Sequence, residues 1–342
     1  MLAFLLLFAD LILIKNDKLE LSVQNPGGAF TKLLLLADPA QTNPMWKGSG
    51  NYQGHFLCLD GFGPTSKEEQ AAGLPGHGEA VRQSWTQAAP GLFSTRLPLL
   101  HEAVTRRITL LPGEQVITVE TTVENELAFD RPLNWAEHGT IGAPFLTPGQ
   151  TVVDASVGRC LTRPDEKGGP KATLNAGVEF TYPHVPLRNG GTRSLRSVPP
   201  GANSLDHTGC AIDPNRTHGF VTALHLEKRL VFGYYFPRAD YPWLQEWHNY
   251  PASGELSRGL EFGTQPFDVS RREAISLGKL FDQPTYRWLP AKSKIAATFH
   301  MFYAAIPPGF DQVDDVHHAD GYLVLTNNAT RQTIRLAARN VR

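Results

Sequence analysis

Residues 105–125 read TRRITLLPGEQVITVETTVEN. Two short apolar runs, "RRITLL" at 106–111 and "QVITVETTVEN" at 115–125, flank Pro112-Gly113. Runs of this length, rich in β-branched residues and joined by turn residues, form a β-hairpin. The same texture extends outward on both sides. Before the hairpin lie "KLELSV" at 18–23, "KLLLLA" at 32–37 and "HFLCL" at 55–59. After it come "TVVDASV" at 151–157, "HGFVTALHL" at 218–226, "RLVFGYYF" at 229–236, "AATFHMFYA" at 296–304 and "GYLVLT" at 321–326. Each is bounded by Gly, Pro, Asn or Asp, the residues that punctuate turns. One stretch carries a helix signal: the capping-box pattern Ser66-Lys-Glu-Glu69, with Gly73 placed to end a short helix. These features predict an all-β chain with few short helices. The simplest architecture is one large antiparallel β-sandwich spanning residues 1–342 as a single domain.

Composition bounds the function. The 342 residues are 41% hydrophobic and 19% charged, an ordinary globular balance. A formal net charge of −1 gives no electrostatic reason to expect nucleic acid or an anionic membrane as partner. Cys58, Cys160 and Cys210 are odd in number, far apart and without C-x-x-C spacing. Neither a zinc site nor a disulfide framework is therefore expected, only buried small hydrophobes. The opening run MLAFLLLFADLILI has no preceding Lys or Arg, contains Asp10, and is shorter than the roughly 20 residues that span a bilayer. Residues 1–14 are expected to add a strand in a cytoplasmic protein; the alternative is an export signal and a periplasmic location. "DDVHHAD" at 314–320 reads as a solvated turn and not a metal site, and residues 187–204 as a long surface loop.

Three stretches carry candidate chemistry. In "LPGHGEA" at 74–80, glycines on both sides expose His77, although a tight turn with an incidental histidine has the same pattern. "LNWAEHGTIGAPF" at 133–145 is strand-like to Trp135 and then presents Glu137 and His138 before Gly139 and Gly142. It reads either as a strand end followed by a turn, or as a histidine displayed where a ligand can approach it. "GLEFGTQPF" at 259–267 puts Glu261 inside an apolar strand, which is costly unless the carboxylate is paired or faces a wet cavity. Glu261, Gly263 and Gln265 alternate onto one face and would make the floor of a site. "YPWLQEWHNY" at 241–250 offers Trp247 or Trp243 for stacking on an apolar ligand face, against the commoner role of buried tryptophan.

Taken in this order, the three stretches resemble the aldose 1-epimerase, or galactose mutarotase, family. "HGEA" followed by Trp85 is similar to its HGxA segment, and "LNWAEHGTIGAPF" to its histidine-bearing strand. "GLEFGT" resembles its late glutamate strand, and "GGAF" at 27–30 its early glycine pair. The likeness runs over roughly residues 15 to 305 and rests on order and spacing. It implies a galactose mutarotase-like supersandwich that interconverts sugar anomers, with His138 as acid, Glu261 as base and His77 contacting the sugar. In the Glu-Thr-Gln form of the family motif the base falls on Gly263 instead, which would leave no base. The family's early arginine, which holds a sugar hydroxyl, has no clear match near "HFLCLDGFGP"; Asp60 is expected to occupy that neighbourhood instead and contact the sugar. The resemblance implies no metal or organic cofactor, a small sugar as partner, and a monomer or homodimer. The alternative function is a carbohydrate-binding protein of the same fold without turnover.

Overall fold

The hairpin at 105–125 forms as its residues dictate. Glu102–Thr109 pairs antiparallel with Val116–Asn125, Thr109 opposite Thr118, and Gly113 takes φ 79° in the turn between them. Along the first strand Glu102, Val104, Arg106 and Ile108 point inward while Thr105 and Arg107 face out, the two-residue period of a pleated sheet. The computed structural model describes residues 11–165 and 168–341. Residues 1–10 of the apolar opening run lie outside the described residues. Leu11–Lys15 is a strand, paired antiparallel with Leu19–Gln24.

Two large antiparallel sheets face each other. The first has 13 strands; its centre runs from His55–Leu59 to Trp135–Gly142, then Ser257–Gly259, Trp243–Tyr250 and Ser204–Ile212. Glu261–Gly263 pairs beside Ser257–Gly259, between the same two neighbours. The second has eight strands and contains the hairpin, with Lys294–Ala305 and Leu230–Pro237 next to it. Leu21, Leu57, Trp135, Val119, Phe232 and Phe299 belong to the core cluster between the sheets. A smaller sheet built from Asp315–Ala319, Tyr322–Asn327 and Gln332–Ala337 covers part of the outer face of the second sheet, packing Leu323, Leu325 and Leu336 against Val231, Tyr235 and Phe302. The second sheet is thus buried on both faces there, which accounts for the unbroken apolar run "RLVFGYYF".

Several expectations need correction. "DDVHHAD" is no turn, because Asp315–Ala319 is a strand of that smaller sheet. The loop at 187–204 contains a strand, Thr192–Ser194, paired with His184–Pro186. Helix Lys67–Ala71 carries the expected Ser66/Glu69 capping box, but a second helix, Arg271–Leu277, opens with an equivalent box from Ser270 and Glu273. It buries only Ala274, so no 3.6-residue apolar period marks it. Cys160 and Cys210 form a disulfide, against expectation. They stand directly opposite each other on adjacent antiparallel strands, a register that 50 residues of separation conceal. Cys58 is free and buried. Among the described residues no helix is long and apolar enough to cross a membrane, and no group of three or more His, Cys, Asp or Glu is arranged to hold a metal.

One polar cluster crosses the core. Glu137 of the first sheet accepts from Arg106 Nη2 of the second at 2.7 Å and from His55 Nε2 at 2.8 Å. Trp135 Nε1 and the Tyr241 hydroxyl donate to its other oxygen at 3.3 and 3.4 Å. Tyr234 lies 2.9 Å from His55 Nδ1, and the His55 ring is stacked between Phe30 and Phe299. Burial pushes the Glu137 carboxyl upward, but the Arg106 charge and the His55 hydrogen bond outweigh it and hold the pKa below the usual carboxylate value. Burial lowers the pKa of His55 below its ordinary value, against the pull of the Glu137 carboxylate.

Removing one partner strands a buried charge. Glu137→Gln and Arg106→Met are each expected to cost about 3–5 kcal/mol in urea unfolding, and the double variant less than the sum. Strict additivity would show that the two groups do not support each other.

His300 gives a separate pH signature. It is buried on Lys294–Ala305 with Nδ1 3.1 Å from Thr118 Oγ1, and burial lowers its pKa from 6.5 to about 3, with His218 and His318 adding to the effect. Between those values the unfolded chain binds a proton that the folded chain refuses, so stability falls as pH drops from 6.5 toward 3. The wild type should lose up to about 1.4 kcal/mol per pH unit from this residue alone. In urea titrations between pH 7 and 5, His300→Gln should show a shallower slope; parallel slopes would mean that His300 titrates normally.

Candidate active site

The first sheet brings three of the candidate stretches together. In Trp135–Gly142 the period of two sends Glu137 into the core and His138, the next residue, to the opposite face. The strand does not end near His138 as its glycines suggested. It continues to Gly142 and is buried along its whole length. The glycines serve packing: a Cβ at Gly139 would lie 2.6 Å from the Tyr234 hydroxyl, and one at Gly142 would lie 2.8 Å from Trp46 Cα. His138 stands opposite Phe56 of His55–Leu59, whose ring stacks on the imidazole at 4.2 Å and 21°.

Glu261 comes from the other flank. Leu260 N–H donates to Gly139 O at 2.7 Å, and Glu261 Oε1 lies 3.5 Å from His138 Nε2. The carboxylate sits where Gly259 has no side chain, since a Cβ there would fall 2.2 Å from Glu261 Oε1 and 3.1 Å from Trp247 Cβ. Gly263 offers no space for a side chain, because its Cβ would meet Trp135 O at 2.7 Å. Of the two family alignments, only the one on Glu261 puts a carboxylate beside His138.

His77 completes the group from a loop. Its φ of 62° and that of Gly78, 77°, turn the chain so tightly that a Cβ at Gly78 would sit 2.0 Å from Leu59 O. Gly63 N–H donates to His77 Nδ1 at 3.3 Å, and an accepting Nδ1 places the proton of the neutral ring on Nε2. The ring centroids of His77 and His138 are 5.1 Å apart.

His77, His138, Glu261 and Trp247 line one cavity of about 400 Å³. Its other walls were not legible in the sequence. Trp46 and Tyr52 come from a glycine-rich loop, and Trp46 meets Trp247 edge-on at 5.7 Å. Phe56, Leu205 and Asn249 come from strands and Asp268 from the segment after Glu261. Asp268 is ion-paired with Arg163 and lies 3.4 Å from His207 Nε2. Aromatic residues within a glycine-rich stretch were the one signal that could have pointed to Trp46 and Tyr52. A larger hollow of about 600 Å³ near Phe281 and Glu179 contains no His, and its Glu179 is exposed and committed to Arg159.

Three other candidate side chains lie off this cavity. Asp60 is fully buried, accepts from Asn134 N–H at 2.9 Å and is ion-paired with Arg131 and Arg271. Arg131 also binds Glu102 at 2.8 Å, so Asp60 belongs to a bracing network. Gln265 is fully buried; its Nε2 donates to Phe267 O at 2.7 Å and its main-chain carbonyl accepts from Gln245 Nε2. Trp243 is a core residue donating to Pro284 O.

The architecture is that of the galactose mutarotase-like proteins. A galactose mutarotase related enzyme from Lactobacillus acidophilus is similar with a TM-score of 0.60 at 13% identity, over 86% of this chain and 97% of its own. A galactose mutarotase-like protein from Clostridium acetobutylicum matches with a TM-score of 0.59 at 13% identity, over 86% and 95%. A candidate aldose 1-epimerase from Klebsiella pneumoniae subsp. pneumoniae reaches a TM-score of 0.63 at 10% identity, over 86% and 79%. At these identities the likeness is one of fold. No protein-family model matches the sequence, and no curated protein matches it significantly.

Two glycine substitutions separate packing from site geometry. In Gly139→Ala the methyl group meets the Tyr234 ring, which cannot swing away from His55, and about 1–3 kcal/mol of stability should be lost. In Gly259→Ala it meets the movable end of Glu261, so the stability loss should be smaller while the carboxylate leaves His138. Urea unfolding and a crystal structure of each variant measure both effects; equal destabilisation would refute the distinction.

Proposed function

We propose that this protein interconverts the anomers of a small sugar as an aldose 1-epimerase-like isomerase. One observation carries the reading: a strand-borne carboxylate and imidazole, Glu261 and His138, lie 3.5 Å apart on a cavity walled by Trp46 and Trp247. The fold it shares with mutarotase-like proteins supports the same reading. Glu261 takes the proton from the C1 hydroxyl while the His138 imidazolium gives its Nε2 proton to the ring oxygen. The C1–O5 bond breaks as the C1 carbonyl forms. Rotation about C1–C2 presents the other carbonyl face. Ring closure then returns one proton from Glu261 to O1 and one from O5 to His138, so both groups end as they began. His77 offers an Nε2–H donor to a sugar hydroxyl, and Trp247 an apolar face for the ring. Neither group needs a cofactor for these transfers.

The contact between His138 and Glu261 also supports a second reading. If the two groups remain paired when sugar enters, the cavity binds carbohydrate without turning it over.

Polarimetry on freshly dissolved galactose, glucose and other aldoses tests the proposal. Glu261→Gln and His138→Asn should each lower kcat by about 10²–10⁴ with little change in sugar affinity, and His77→Ala should mainly raise KM. A folded Glu261→Gln variant with near-parental kcat would show that the base lies elsewhere. Calorimetric sugar binding without any acceleration by the parent protein would establish the binding reading.

A further inference from the structure

Building on the acid role of His138, we infer that Thr140 is a positioning residue that selects which nitrogen of His138 exchanges the proton. Thr140 is two residues along the same strand, so its side chain shares the cavity-facing side, and it is 1% exposed. Its Oγ1 lies 3.1 Å from His138 Nδ1, while Nε2 is the nitrogen turned to Glu261 at 3.5 Å. The stacked Phe56 ring, 4.2 Å away, keeps the imidazole in this plane.

The chemistry then decides the direction of the hydrogen bond. An imidazolium that gives up its Nε2 proton becomes a neutral ring with the remaining proton on Nδ1. That proton needs an acceptor through both halves of the cycle, and a threonine hydroxyl oxygen can accept it. The hydroxyl can donate or accept; accepting, as the cycle requires, Thr140 holds neutral His138 in the Nδ1–H form and leaves the Nε2 lone pair to take back the proton from O5–H. The opposite tautomer would turn an N–H toward the sugar at the moment an acceptor is required. Its partner in the site, His77, is fixed the other way by Gly63 N–H, so one histidine exchanges a proton while the other donates a hydrogen bond.

Other groups around His138 bear on its titration. Glu261 faces it from the neighbouring strand, His77 from the loop above, and Asp268 from across the cavity. Cys58 on the Phe56 strand approaches His77 at 3.8 Å, and Phe62 adds an apolar ring at 5.5 Å.

Thr140→Val keeps the shape and removes the acceptor; Thr140→Ser restores it. Long-range proton–nitrogen NMR of the full chain labelled at histidine, with His138→Asn identifying the signal, reports the tautomer directly. The wild type and Thr140→Ser should show the Nδ1–H form at a pH where His138 is neutral, and Thr140→Val a shift toward Nε2–H. In polarimetry Thr140→Val should lower kcat about 10- to 100-fold with KM changed less than about twofold, and move the alkaline limb of the pH profile, where His138 loses its proton, to lower pH. Thr140→Ser should recover both. A wild type in the Nε2–H form, or a Thr140→Val ring unchanged in tautomer, overturns the inference whatever the activity. A parent protein that binds no proton at Nε2 and fails to mutarotate any sugar, yet holds the Nδ1–H form, overturns the proposed reaction and leaves the tautomer assignment standing.

Discussion

Glu137 is the constraint on which the arrangement rests. A carboxylate in the centre of a two-sheet core would be severely destabilising alone, and here it is ionised because Arg106 and His55 converge on it with Trp135 and Tyr241. Arg106 reaches across from the second sheet, so the pair fixes the stagger of one sheet on the other. His55 comes from the adjacent strand of the first sheet, so the same carboxylate also ties two neighbours side by side. A slip of one residue in Trp135–Gly142 would exchange Glu137 for His138 in the core, leaving Arg106 without its partner. The register of the strand is thereby specified by charge as well as by shape.

The same device recurs around the cavity. Glu246 points inward to Arg258 and His248 while the next residue, Trp247, lines the cavity. Arg258 is fully buried, and the next residue, Gly259, is the one that gives the Glu261 carboxylate its space. Glu137 precedes His138 in the same sense. In each case a buried ionic group anchors the inner face and the adjacent position serves the outer one. Buried ion pairs are weak contributors to net stability, but they resist displacement, because moving either partner exposes a charge to a poor solvent. A proton-transfer pair needs that quality: groups held to within a fraction of an ångström on strands and not on loops. Asp60, with Arg131 and Arg271, extends the bracing to the end of the His55–Leu59 strand, where a sugar-contacting role had been expected of it.

Loops enter at the cavity walls. Trp46, Tyr52 and His77 come from loops, and His77 depends on a left-handed backbone conformation held by Gly63 and Gly78. The sheet thus supplies the candidate acid and base, while loops supply much of the wall around them.

The sequence by itself determined the elements. The hairpin at 105–125, the runs at 55–59 and 229–236 and the helix at Ser66 were legible because alternation, turn residues and capping boxes act over a few neighbours. The stretches bearing His77, His138 and Glu261 could be singled out for a similar reason: a titratable residue beside glycines, or within an apolar strand, conflicts with its surroundings. Tertiary structure alone decided what each of these residues meets. Gly139 looked like a turn residue and is a gap for Tyr234; Cys160 and Cys210 looked unrelated and are bonded; Asp60 looked available and is enclosed by arginines. Trp46, Asn249 and Asp268 gave no local sign of sharing a cavity with Glu261. Such partnerships follow from strand order, register and the stagger of two sheets, which join residues 50 positions apart at Cys160 and Cys210 and 179 apart at His55 and Tyr234, and no local pattern encodes a distance of that kind.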